Sequence, residues 1–139
     1  MRALVAQAFL AVALVAVLLA APRAMADDAA IRAVIEDQIA DFQKNDLDGA
    51  FSHAAPSIQG KFGSPARFGQ MVQSGYPMIW RPKRYEMLGL SETVLGQRQT
   101  VLFEDQNGAF WEADYTMRLI DGTWRIAGVT LRRAPGVAS

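Results

Sequence analysis

Apolar residues recur at helical spacing near the start of the chain, just after residue 27. Ile31, Ile35 and Ile39 fall on one side, and charged residues occupy the positions between them. This period of about 3.6 residues is typical of a helix that buries one face. The pattern predicts an amphipathic helix from residue 28 to about residue 44.

Two further helices are indicated by their capping residues. Asp46 can accept a bond from the first turn of a short second helix, which ends at Pro56. The Ser64-Pro65 pair is typical of the start of a third helix, and Gly75 is expected to end it in the left-handed conformation. Residues 57–63 are predicted to be a connector or a brief strand. Residues 76–82 contain two prolines and are predicted to be a non-helical apolar loop.

From Lys83 onward the apolar period changes to two, which predicts strands. The expected strands are 84–95, 98–105, 109–120 and 123–132. Asn107-Gly108 and Asp121-Gly122 are dipeptides that favour tight hairpin turns, and Gly96-Gln97 is expected to make the remaining turn. The sequence therefore predicts helices packed on a four-stranded antiparallel meander, an α+β fold with one core.

Alternation along the third strand divides its residues between two faces. One set is predicted to point inward: Ala109, Trp111, Ala113, Tyr115, Met117 and Leu119. Glu112 and Asp114 are predicted to point outward beside Arg118 as a solvated, charge-paired surface. On the same outer face an apolar patch is predicted from the remaining large residues: Phe110, Ile120, Trp124 and Ile126.

Residues 1–26 have the composition of an export signal. Arg2 is followed by a long alanine-rich apolar run, and Ala24-Met25-Ala26 matches an A-x-A cleavage site. The run approaches the length of a membrane span, so an uncleaved anchor is the alternative. We expect cleavage after Ala26, a single domain at residues 27–139, and a periplasmic or secreted location without membrane attachment.

Composition excludes several classes of function. The 139 residues include no cysteine and one histidine, which excludes disulfides, thiolate nucleophiles and multi-histidine metal sites. Basic and acidic residues number 14 each, and two of the arginines lie in the signal, so residues 27–139 are slightly acidic. Nucleic-acid binding needs clustered positive charge and is not expected. No cofactor and no metal are predicted.

The order of elements and the ending Trp124-Arg125-Ile126 resemble the cone-shaped α+β fold of the nuclear transport factor two-like superfamily. More narrowly, Phe68, the Gly75-Tyr76-Pro77 run and Arg81-Pro82 resemble a bacterial exported family catalogued as domain of unknown function 4864. These resemblances imply a curved meander and export. They imply no reaction, catalytic residue or cofactor, because that fold serves enzymes and non-catalytic modules alike.

Candidate binding residues come from two places. Trp111 and Tyr115 are expected on the inward face, where each offers a flat apolar surface and one hydrogen-bonding group. Tyr76 and Trp80 are predicted to wall a cavity in which Arg81 or Arg84 holds an anionic group. The alternative is that the apolar members of this segment close the core and the cations form a wet rim.

His53 and Asp46 have structural explanations. His53 lies near the end of the second helix, where an imidazolium is favoured by the last carbonyls, and Asp46 serves as a cap. No catalytic residue is predicted. The sequence leaves three hypotheses: a non-enzymatic module that binds a small apolar or anionic ligand or a partner, a small isomerase, dehydratase or cyclase with a pocket acid or base, and a structural homodimer.

Overall fold

A computed structural model describes residues 27–135. The predicted signal at residues 1–26 and the final residues 136–139 lie outside the described range. From Ile31 onward the described residues belong to one compact unit.

Five helices precede the sheet in the described chain. They are α1 (27–43), α2 (Leu47–Ser52), α3 (Pro56–Phe62), α4 (Pro65–Gly75) and α5 (Pro77–Trp80). The predicted caps are confirmed: the Asp46 carboxylate accepts from the Gly49 amide, and the Ser64 hydroxyl accepts from the Arg67 amide. None of the helices in this part of the chain is long and apolar enough to cross a membrane.

Two segments predicted to be non-helical are helices. Pro56 and Pro77 each occupy the first turn, where the missing amide hydrogen costs nothing and the fixed φ suits the helix. Residues 57–63 are therefore mostly α3 rather than a connector or strand, and residues 77–80 form a single helical turn. The prediction that Gly75 ends α4 in the left-handed conformation was also wrong, because Tyr76 is the C-cap of α4. Gly63 is instead the left-handed C-cap of α3, with φ 79°.

Four strands form an antiparallel meander in the order β1-β2-β3-β4. Their bounds are β1 (Arg84–Thr93), β2 (Gly96–Glu104), β3 (Phe110–Ile120) and β4 (Thr123–Arg133). Helices followed by this meander confirm the predicted α+β class. Placement in the cone-shaped superfamily stays a prediction.

The β3–β4 turn lies where the sequence predicts it, and the other two turns differ from the predicted ones. Asp121 and Gly122 both have positive φ, 51° and 78°, as a tight β3–β4 turn requires. Between β2 and β3 the loop is longer, because Asp105 pairs with Ala109 through the backbone. The β1–β2 turn lies at residues 94–95 instead of Gly96-Gln97. β2 begins at Gly96, where only glycine fits because φ is 134° and the Met117 carbonyl approaches the place that a Cβ would occupy.

The core lies between α1 and the inward face of the sheet. Ala113, Tyr115 and Met117 are fully buried, which confirms the predicted inward set at its centre, and Trp111 is partly buried against them. Leu119 was predicted inward but is 56% exposed. It lies at the end of β3 beside the turn and makes no part of the core.

A β-bulge changes the face of β4. Thr116 pairs with Gly128 and Met117 pairs with Ile126, so Ala127 is an additional residue without a partner in the ladder. The inserted residue turns Val129 to the inward face, opposite Tyr115. Ile126 and Trp124 lie between the turn and the bulge, and both pack into the core because they are opposite Met117 and Leu119. The predicted outer patch of Phe110, Ile120, Trp124 and Ile126 does not exist in that composition, because the two-residue turn pairs even-numbered positions of β3 with odd-numbered positions of β4 and so places Trp124 and Ile126 on the inward face.

The outward side of β3 carries the predicted charge pairs with a different cation. Arg132, opposite Glu112 in the ladder, donates to Glu112 at 2.8 Å and to Asp114 at 2.5 Å. Arg118 was the predicted partner. It is opposite Arg125 instead, nearer the β3–β4 turn.

Candidate ligand cavity

A cavity of about 380 Å³ lies between the helices and the inward face of the sheet. Side chains from α1, α3, α4 and α5 form one side of it, and β3 and β4 form the other. Pockets that bind small molecules in proteins fall in the range of about 300–1,000 Å³. The size and position are those of a small-molecule site.

The walls of the cavity are mostly apolar and well packed. Phe68 of α4 contacts three other rings, Phe42, Phe51 and Phe62, at centroid distances of 6.0, 5.5 and 6.0 Å. Phe42, Phe62 and Phe68 line the cavity directly. Because aromatic pairs in these tilted arrangements support one another, this wall is a preformed apolar surface.

The bulge in β4 gives the opposite wall its composition. Residues 126–129 all line the cavity, although a regular strand would present only alternate residues to one side. Ile126 and Val129 are three positions apart and both pack against the core. The inserted Ala127 therefore widens the stretch of β4 that borders the cavity.

Tyr115 of β3 borders the cavity on its buried side. Its hydroxyl is fully buried and has no hydrogen-bond partner within residues 27–135. Burial raises the pKa of the Tyr115 hydroxyl above its ordinary value, so this group stays protonated and can donate a hydrogen bond. Gln38, also buried in the lining, donates from Nε2 to the Ala50 carbonyl at 3.0 Å.

The open end of the cavity lies at α3. Ser57 and Lys61 are the exposed members of its lining there. The Lys61 ammonium lies 5.6 Å from the Phe62 ring centroid and makes no ion pair with any residue in the described range. The mouth therefore carries one positive charge above an apolar interior.

The described lining contains no aspartate, glutamate or histidine. Proton transfer needs a base whose pKa lies near the working pH, and the raised pKa of Tyr115 moves it further from that condition. His53 is the C-cap of α2, as expected, and its Nε2 lies 3.4 Å from Asp41 outside the cavity. The chemistry of the lining suits binding.

Comparison with known families adds one finding. A family model described as a domain of unknown function, DUF4864, matches residues 24–139, which include every helix, strand and lining residue above. The chain belongs to the DUF4864 family. Comparisons with curated proteins and with solved structures give no match.

The cavity of this DUF4864 chain brings together two of the five residues predicted to bind a ligand, Tyr76 and Tyr115. Tyr76 lies at the α4–α5 junction and is partly buried. The other three, Trp80, Arg81 and Trp111, lie outside its lining. Ligand binding by any of the five stays a prediction.

Trp80 and Arg81 contact each other and the end of α1. The Arg81 guanidinium donates to the carbonyls of Phe42 and Trp80 at 2.6 and 2.7 Å, and to Asn45 Oδ1 at 2.8 Å. It also lies 4.6 Å from the Trp80 ring centroid. These contacts join α5 to the end of α1 and use three of the five N–H donors of the guanidinium.

Trp111 and Arg84 likewise have internal partners. The Trp111 indole donates to Asp105 at 3.0 Å, and Arg133 lies over its ring at 5.0 Å. Arg84 pairs with Glu104 at 3.1 Å. In this DUF4864 chain these groups brace the loop between β2 and β3 and the edge of β1.

Lys61 and Phe62 are lining residues that sequence reasoning missed. Residues 57–63 were predicted to be a connector, so their side chains were not assigned to a face. Ile58 and Phe62 are four positions apart after Pro56, which is the spacing of one helix face behind a proline at the first turn. That signal could have identified α3 in the sequence.

Proposed function

We propose that this protein is an exported, non-enzymatic binding module that holds a small ligand with an apolar body in the cavity between its helices and sheet. The observation that carries the proposal is the cavity of about 380 Å³ with aromatic and aliphatic walls and a cation at its mouth. Preformed apolar pockets with few polar groups are the usual form of small-molecule sites.

Binding fits the lining better than catalysis does. An isomerase or dehydratase needs a group that accepts a proton near neutral pH, and the described lining contains no aspartate, glutamate or histidine, while burial raises the pKa of its Tyr115. Export is supported by the basic start, apolar run and cleavage triplet of residues 1–26.

The test is a cavity-filling substitution with a matched control. Met71→Trp would place a large indole ring in the cavity from α4, where Met71 is partly exposed and can accept the change. Gln73→Trp adds the same ring two residues later at an exposed position outside the lining. Binding of 1-octanol, followed by chemical-shift changes in the two-dimensional NMR spectrum, should be lost in Met71→Trp and kept in Gln73→Trp.

Native mass spectrometry of protein purified from the bacterial periplasm is a second measurement, which detects a small molecule that stays bound. A retained small molecule that is absent from Met71→Trp supports the proposal. Binding of 1-octanol that is unchanged in Met71→Trp, or shift changes confined to residues outside the cavity, would overturn it.

A further inference from the structure

Helix α3 presents two kinds of side chain to the cavity. Ile58 and Phe62, four positions apart, are apolar and half-buried. Ser57 and Lys61, also four positions apart, are polar and exposed, and they line the cavity as well. Residues four apart are neighbours on a helix surface, so each pair occupies its own side of α3. The helix therefore forms the boundary between an apolar interior and a polar rim at the mouth.

The rim carries one charge, the Lys61 ammonium. It lies 5.6 Å from the centroid of the Phe62 ring, and the face of an aromatic ring attracts a cation. Lys61 makes no ion pair with any residue from 27 to 135, and the described lining holds no other charged side chain. The ammonium is consequently held beside the apolar wall, and within the described chain no carboxylate neutralises it.

Acidic residues are absent from the helical segment at the mouth. All 14 acidic residues of the chain lie within residues 27–48 and 86–121. The segment between them, residues 49–85, includes α3, α4 and α5 and holds five lysines and arginines. A region with one sign of charge raises the local concentration of ions of the opposite sign. The helical side of the mouth therefore attracts anions and repels cations.

An anionic group is favoured at the mouth and disfavoured in the interior. Lys61 is exposed, so the described lining offers no cation to a charge that is buried more deeply, and such a charge would lose its hydration. The buried amide of Gln38 already donates to the Ala50 carbonyl. At the rim an anion keeps part of its hydration while it pairs with the ammonium. A ligand with one anionic end therefore places its apolar body inside.

The volume limits the length of this apolar body. At about 30 Å³ for each water-sized group, the cavity of about 380 Å³ has room for roughly a dozen non-hydrogen atoms. A carboxylate with a chain of about eight to ten carbons has that size. A longer chain would leave part of its length in solvent.

Resting on the proposed binding function, we infer that the ligand is an apolar carboxylic acid with a single negative charge, a medium-chain fatty acid or an acid of similar size. Its carboxylate pairs with Lys61 at the mouth, and its apolar body lies between the rings of Phe62 and Phe68 and the β4 wall at residues 126–129. One ammonium balances one negative charge, so a carboxylate fits the rim better than a phosphate monoester with a charge of about −1.5 to −2 does.

Three probes with the same chain length and different charge test this assignment: octanoate, octylammonium and 1-octanol. Calorimetry and NMR titration near neutral pH should give a lower Kd for octanoate than for octylammonium by about three- to twentyfold, because an exposed cation attracts one and repels the other. The ratio should approach one as salt is added. Lengthening the acid from hexanoate to octanoate should lower the Kd about fourfold for each methylene, because the chain lies in the cavity.

A charge reversal assigns the effect to Lys61. In Lys61→Glu the order should reverse, so that octylammonium binds more tightly than octanoate, while the Kd of 1-octanol stays the same. The matched control is Lys83→Glu, which makes the same change of net charge at an exposed position outside the lining. This control should keep the wild-type order.

The outcomes separate this inference from the proposed function. An order that does not reverse in Lys61→Glu, or that reverses equally in Lys83→Glu, overturns the assignment of an acid to Lys61. Equal Kd values for octanoate and octylammonium in the wild type have the same meaning. Binding of 1-octanol within the cavity leaves the proposed apolar site intact in each of these cases. Failure of all three probes to perturb the lining residues overturns both.

Discussion

Ile126 lies opposite Met117 across β3 and β4, and both side chains are buried against α1 and its neighbours. One pair earlier in β3, Thr116 lies opposite Gly128, so the ladder skips Ala127. This skip sends Ile126 and Val129 into the core from the same strand. The bulge is therefore the feature that shapes the β4 wall of the cavity.

The first prediction concerns the face that Ile126 occupies. Ile126→Ala should lower the free energy of unfolding by about 2–5 kcal/mol, because it deletes buried methyl groups that the surroundings cannot fully replace. Leu119→Ala, on the exposed end of β3, should change it by less than about 0.5 kcal/mol. Urea unfolding followed by circular dichroism measures both. Similar losses in the two variants would contradict the register.

The sequence predicted the fold class because its strongest patterns coincide with its regular elements. Ile31, Ile35 and Ile39 are buried on one face of α1, and Asp121-Gly122 makes the tight turn that its residue types require. The bulge at Ala127 was not predictable from alternation, since no glycine or proline occupies that position and the register change depends on tertiary packing.

The candidate site was predicted less completely than the fold. Tyr115 was found because alternation in β3 assigns it to the inward face, and Tyr76 because it stands in an apolar segment. Arg81 and Trp111 were predicted from residue type alone. Their internal acceptors come from residues distant in sequence or from loop geometry, which the pattern of the chain does not specify.

The second prediction concerns the hydroxyl of Tyr115 in the ligand-free protein. Tyr115→Phe should raise the free energy of unfolding by about 1 kcal/mol, because the change removes a buried polar group that makes no hydrogen bond within the described residues. Chemical denaturation of the ligand-free protein measures this, with Tyr85→Phe as the control at a partly exposed ring. A gain in stability would show that the hydroxyl makes no hydrogen bond in solution.

A loss of stability in Tyr115→Phe would have the opposite meaning. Gln99 lies directly across the ladder from Tyr115, and its buried Oε1 has no hydrogen-bond partner in the described range. A destabilised variant would indicate that the Tyr115 hydroxyl bonds to this oxygen in solution.

The third prediction concerns the acid dependence of stability. Burial opposes ionisation of Asp114, but hydrogen bonds from Arg132 and Thr100 outweigh it and hold the pKa of Asp114 below its ordinary value of 3.8. A carboxylate with a lowered pKa in the folded state contributes stability above its unfolded pKa. That contribution is lost as pH falls through the folded pKa.

The wild type should therefore lose stability as pH falls below about 4, and Asp114→Asn should lack part of that loss. Denaturant unfolding from about pH 6 to about pH 2 measures the slope, and NMR titration reports the carboxyl directly. In Arg132→Gln the pKa of Asp114 should move up toward 3.8. An unchanged titration in that variant would show that Arg132 does not hold the carboxylate.

The fourth prediction separates the role of Arg81 from that of Lys61. The Arg81 guanidinium has two carbonyls and Asn45 as acceptors and joins α5 to the end of α1. Arg81→Gln should lower the free energy of unfolding by about 1–3 kcal/mol, because bonds from a charged donor are lost and their acceptors are left behind. Its Kd for octanoate, a small apolar anion, should equal that of the wild type, measured where the variant is fully folded. Lys61→Gln should give the reverse result, with unchanged stability and weaker binding, since Lys61 is exposed and makes no ion pair in the described chain.

If Arg81→Gln instead weakens binding while it leaves stability intact, Arg81 is the anion-binding residue that its sequence position suggested, and the mouth of the cavity lies at α5.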